Sequence, residues 1–127
     1  MNLEKVIFAF FIISAATLNF GFVIGEIDNP LHHNLWEFFA AFVVNVIATV
    51  LKFGDRTQVG AMHLATSLVA VLQLAVAAVV WAVAVPGPDG LLTAHTVTAI
   101  VSLAAGALLA NIISVVLLIV ETTLQRR

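Results

Sequence analysis

The sequence predicts an all-α polytopic membrane protein, a bundle of four transmembrane helices with both ends of the chain on the cytoplasmic side. Three observations carry this. Hydrophobic residues fill 62% of the 127 positions and charged residues only 9%, against about 45–50% and about 25% in soluble domains, and the mean hydropathy is +1.14. Apolar runs of bilayer length recur four times. Every Lys and Arg falls in a segment that the four crossings place on one side.

The hydrocarbon core of a bilayer is about 30 Å thick, so a helix needs roughly 20 apolar residues to cross it. The runs at about 6–24, 35–53, 59–85 and 91–120 meet that length and form one transmembrane domain over 1–127. Each must be helical, because an isolated strand would leave its backbone groups unpaired in lipid. The first span ends at Gly25. In the segment after it, Asp28 or Asn29 suits a cap and Pro30 the first helical position. The second span closes on Lys52-Phe53-Gly54, with Gly54 as a left-handed stop. Asp55 then reads as the next N-cap, with Gln58 as its partner three residues on, so spans two and three form a tight hairpin. Span three stops before Pro86-Gly87-Pro88-Asp89-Gly90, which cannot be helical. The small residues Ser14-Ala15-Ala16 raise the alternative of a cleaved leader, but the apolar run continues to Ile24 and reads as a retained span.

Basic residues decide orientation. Lys5, Lys52, Arg56, Arg126 and Arg127 share one side, whereas segments 26–34 and 86–90 contain neither Lys nor Arg. That puts both termini in the cytoplasm.

At 100° per residue the polar positions sort onto helix faces. His33, Glu37, Ala41, Asn45, Ala48 and Lys52 share a face of span two, and His63, Thr66, Ala70, Gln73 and Ala77 one of span three. Span four aligns His95, Ser102 and Gly106, with Ala110 nearby, and span one offers Ser14, Thr17, Gly21 and Gly25. These stripes are expected to meet, with the apolar sides toward lipid. Ser102, Gly106, Ala110 and Ser114 recur every fourth residue, the pattern of close helix contact in membranes. Asn19 and Asn111 lie off the main stripes and point to a second contact face or an oligomer interface.

Two readings of the polar groups stand. In one, Asn45 and Gln73 pair across the second hairpin and the stripes only pack helices. In the other, Glu37, Asn45, Gln73, His63 and His95 line a path for protons or small cations. His33 and Glu37 are four residues apart on one helix face and His95 begins span four on the same side, a weak constellation for a metal. A capped, solvated helix entry is the plainer account of His32, His33 and Glu37, since a carboxylate near a helix N-terminus is favoured by the macrodipole. Trp36 and Trp81 suit interface anchoring.

Nothing in the sequence points to an enzyme. There is no nucleophile beside a base, no phosphate-cradling glycine loop and no paired intramembrane carboxylates. With no cysteine there is no thiolate chemistry, and no basic run exists for nucleic acid. No cofactor is expected, and the bilayer itself is the first partner. At "TLNFGFVIGEIDNPLHHN" and "ATVLKFGDRTQVGA" the chain resembles a group of small proteobacterial inner-membrane proteins of unassigned function. The similarity covers most of spans one to three and fades in span four. It implies a bacterial inner-membrane address and supplies no activity or functional residues. The expected role is a non-catalytic accessory or assembly subunit, self-associating or docked on a larger membrane protein. The alternative is a homo-oligomeric proton or small-cation channel.

Overall fold

Along each helix the buried positions alternate three and four residues apart. In α1 (Leu3–Val23) they are Phe8, Ile12, Ala15, Asn19 and Phe22, and in α2 (Leu35–Lys52) they include Phe38, Ala41, Asn45 and Ala48. In α3 (Gln58–Val83) they are Gly60, His63, Ser67, Ala70, Leu74 and Ala77. In α4 (Ala94–Gln125) the same alternation runs through Val97, Ile100, Ala104, Ala107, Asn111, Ser114 and Leu118. A repeat averaging 3.5 residues keeps one seam of a helix facing its neighbours and suits shallow, knobs-into-holes packing. The structure, a computed structural model, describes residues 3–26 and 28–125. Arg126 and Arg127, used above for orientation, lie outside the described residues.

Short connections force consecutive helices to run antiparallel. α1 packs on α2 and α4, and α3 packs on the same two helices, which closes a four-membered ring. All four helices are long and apolar enough to cross a membrane. The described basic residues gather at one end of the bundle, which also holds the start of α1 and the end of α4. There Lys5 pairs with Glu121 at 3.9 Å and Lys52 with Asp55 at 3.6 Å.

The boundaries agree with the predicted spans to within a few residues, apart from two local corrections. Pro30 starts a separate 3-10 turn, Pro30–His32, capped by the Asn29 side chain, and not α2 itself. A second cap, Asn34, accepts the Trp36 N–H at 2.7 Å and only then does α2 begin. His32 and His33 therefore precede α2 rather than forming its first turn. Likewise Thr57, not Asp55, caps α3 by accepting the Gly60 N–H at 2.9 Å. Asp55 sits two residues earlier and accepts from both the Thr57 N–H and hydroxyl. Gly54 does take the left-handed conformation, φ +91°, that ends α2. α4 extends beyond its predicted limit to Gln125.

The apolar interior falls into two parts. The larger, toward the 24–34 and 84–93 loops, gathers Phe22, Phe38, Leu74 and the alanines and valines of α3 and α4. The smaller, toward the termini, holds Phe8, Ile12, Ala48 and Leu118. Trp36 is exposed, whereas Trp81 turns partly inward, with ring centroids 6.0 Å from Phe22 and 5.4 Å from Phe38.

Candidate functional site: a polar layer inside the bundle

Between the two apolar parts lies a chain of amides. Asn19 Nδ2 donates to Asn111 Oδ1 at 2.7 Å, and Asn111 Nδ2 donates to Asn45 Oδ1 at 2.7 Å. Asn45 Nδ2 in turn donates to the Ala41 carbonyl at 2.8 Å, and Thr49 donates to the Asn45 carbonyl. All three asparagines are fully buried, so α1, α2 and α4 are tied through one dry network. An unpaired amide in such surroundings costs several kcal/mol on hydrocarbon scales; joining them is what makes the layer tolerable.

Toward the termini, Ser114 Oγ lies 3.0 Å from both His63 Nδ1 and Thr66 Oγ1. The His63 ring meets the Phe8 ring edge-on at 4.8 Å, and Lys52 Nζ sits over that phenyl ring, 4.2 Å from its centroid. Asn19 Oδ1, His63 Nε2 and Ser67 Oγ are buried without a hydrogen-bond partner among the described residues.

The other predicted polar residues go to separate places. Gln73 does not pair with Asn45. Its amide lies in the α3–α4 seam on top of Gly106, where any Cβ would collide with it. Glu37 occupies the corresponding position in the α1–α2 seam, over Gly21. Glycine is thus the seat for a polar side chain in each seam, which gives Gly106 a more definite role than membership of a small-residue run. His33 is buried at the loop end, with Nδ1 2.5 Å from the Phe22 carbonyl oxygen and Nε2 2.7 Å from that of Glu26. It staples the end of α1 to the entrance of α2. His95 is exposed in the first turn of α4. No group of three or more His, Cys, Asp or Glu side chains that could hold a metal ion occurs among the described residues, so His33, Glu37 and His95 do not converge.

Three face assignments need correcting. Asn19 and Asn111, expected at an oligomer interface or second contact face, point inward and bond each other. In α4 the inward face carries Ala104, Ala107, Asn111 and Ser114, so Ser102 and His95 are exposed, Gly106 is half-buried and Ala110 is buried. The stripe Ser14, Thr17, Gly21, Gly25 is not the inner face of α1, since Phe8, Ile12 and Ala15 are. A hydroxyl can face outward because its own helix satisfies it, as Thr17 Oγ1 does by donating to the Ser14 carbonyl at 2.9 Å.

A model of DUF6394, described as a family of unknown function, matches residues 32–122. The chain belongs to that family. No curated protein and no solved structure matches it. The DUF6394 match takes in α2, α3 and nearly all of α4, hence Glu37, Asn45, His63, Gln73, Gly106, Asn111 and Ser114. It leaves out α1, and with it Asn19 and Gly21.

Proposed function

We propose that the chain is an integral protein of the bacterial inner membrane, both termini cytoplasmic, that serves as a non-catalytic accessory or assembly subunit of a larger membrane complex. The one-sided distribution of Lys5, Lys52 and Arg56 supports the orientation. The observation that carries the role is how the polar groups are used. The asparagines bond one another in a chain, His63, Thr66 and Ser114 form their own set, and Glu37 and Gln73 sit in different seams. An interior used this way is a scaffold. What remains for function is the outer surface, where Ser102 offers a hydroxyl outside the bundle, available to a neighbouring helix. The partner is a second copy of the chain or another membrane protein.

One observation favours the second reading, conduction of protons or small cations. The Glu37 carboxylate lies within α2, half-buried, with no hydrogen bond or ion pair to another described residue, and an ionisable group in a span is a default candidate for transport. Flux through proteoliposomes, wild type against Glu37→Gln, separates the two. The subunit reading expects no flux, or flux indifferent to the substitution, together with migration of the natively expressed protein in a complex several times its own mass of 13.5 kDa. Proton or cation flux that Glu37→Gln abolishes would overturn it.

A further inference from the structure

Near the end of the bundle opposite the termini, the Glu37 carboxylate lies across the α1–α2 seam. It belongs to the first turn of α2, and its Oε2 rests against Gly21 of α1, where a Cβ would overlap it. The side chain is half-buried and has no hydrogen bond or ion pair to another described residue. It is not used to cap its own helix, because the Asn34 side chain accepts the Trp36 N–H there. The surface on either side is apolar, with Phe20 and Ile24 of α1 and Trp36 and Val43 of α2 exposed. Ionisable groups within membrane spans almost always find a partner. This chain holds no Lys or Arg between Lys5 and Lys52 or between Arg56 and Arg126, so it offers Glu37 neither.

We infer that this seam docks a transmembrane helix of another protein, one that carries an Arg about a turn below its end on the same side. The inference rests on the subunit reading above and names the partner by its charge. A second copy of the chain brings only imidazoles to this depth. His33 is held by two backbone carbonyls and His32 by the Glu26 N–H, which leaves His95. A lipid ammonium stays at headgroup level, above a carboxylate set within a helix. A side chain fixed on a crossing helix can stand at the level of Glu37 while its apolar neighbours cover Phe20, Ile24 and Trp36. The field agrees with this choice. Glu26, Asp28 and Asp89 are exposed in the loops of the same end, and segments 24–34 and 84–93 contain no Lys or Arg, so an approaching cation is attracted. The partner gains as well, since a cation at that end lies on the side that membrane insertion disfavours and the carboxylate offsets it. A guanidinium suits best because it can engage both carboxylate oxygens at once.

The test places the full-length protein in phosphatidylcholine vesicles and follows energy transfer from its own tryptophans to dansyl-labelled transmembrane peptides of leucine and alanine. One peptide carries a single Arg a turn below its labelled end, a second has Gln there, and a third has the Arg near its other end. The first should bind about tenfold more tightly than the other two, the ratio of a close, partly desolvated charge pair. Glu37→Gln should erase that difference and Glu37→Asp keep part of it. Circular dichroism checks that each variant folds, and the peptide series on the wild-type chain decides if Glu37→Gln does not. Equal binding of the three peptides, or a preference that folded Glu37→Gln leaves intact, overturns the proposal. A peptide of residues 91–113, with His95, that binds as tightly as the Arg peptide would make a second copy the occupant and overturn it too. So would loss of the preference in phosphatidylethanolamine vesicles, which would make the occupant a lipid ammonium. The size of the native complex tests the subunit reading independently: a complex several times the mass of the chain, found alongside indifferent peptides, keeps that reading and sinks this one.

Discussion

Toward the 24–34 and 84–93 loops the helices meet through rings, with Phe22 and Phe38 at 5.3 Å and Trp81 packed on both. From the middle of the bundle toward the termini the same four helices meet through Asn19, Asn45, Asn111, His63 and Ser114. The difference reflects what each kind of contact can specify. Lipid is as apolar as phenylalanine, so an aromatic side chain gains little from facing inward and contributes mainly by shape. An amide, by contrast, has partners at one axial position and none elsewhere. The ring-packed half fills space, and the amide half fixes register.

That contrast can be broken most directly at Asn111, which accepts from Asn19 and donates to Asn45. Asn111→Leu keeps the branched shape but leaves Asn19 Nδ2 without its acceptor and Asn45 Oδ1 without its donor, and should cost about 2–3 kcal/mol of unfolding free energy in mixed micelles. Phe38→Leu, in the ring-packed half, should cost less than about 1.5 kcal/mol, as near-conservative apolar exchanges do. If the order is reversed, the polar layer does not set the register.

A smaller effect sharpens the comparison within the α3–α4 seam. Gly106→Ala puts a methyl group where the Gln73 amide lies and should cost about 1–2 kcal/mol, the usual scale of overpacking. Gln73→Ala in the same chain should recover most of it, and the coupling in a double-mutant cycle measures the contact. Additive effects would mean that Gln73 does not rest on Gly106.

The fold was legible because its signals are long-range averages. Four bilayer-length runs, Gly54 with a positive φ and the Pro86–Gly90 break leave few alternatives. The site was less legible, for reasons visible in particular residues. As central amides on adjacent helices Asn45 and Gln73 suit each other by sequence, yet Asn45 bonds Asn111 on the helix across the ring. Choosing between them needs the three-and-four alternation, on which Asn19, Asn45 and Asn111 all occupy inner positions while Ser102 and Thr17 do not. In a sequence this apolar the usual contrast between an oily and a wet face is nearly absent, so polar residues sort into stripes more readily than into heptad positions. Double caps such as Asn29 and Asn34 also hide which one starts the helix. The Lys52–Phe8 contact, between residues far apart in the chain, has no local signature.

The smallest expected effect lies outside the bundle, at the α2–α3 turn. The Thr57 hydroxyl and N–H, and then the Lys52 ammonium, hold the Asp55 carboxyl below its ordinary value of 3.8. A carboxylate lowered in the folded state contributes stability that is complete above its unfolded value and lost as pH falls through its folded one. The stability difference between wild type and Asp55→Asn should therefore be constant from neutrality down to about pH 5 and shrink only below pH 4. Since Asp55 is only partly buried, solvent screens the effect and the difference should be well under that at Asn111. A difference that instead changed between pH 6 and 8 would mean that a group other than Asp55 controls this turn, and with it the order of the two ends of the hairpin.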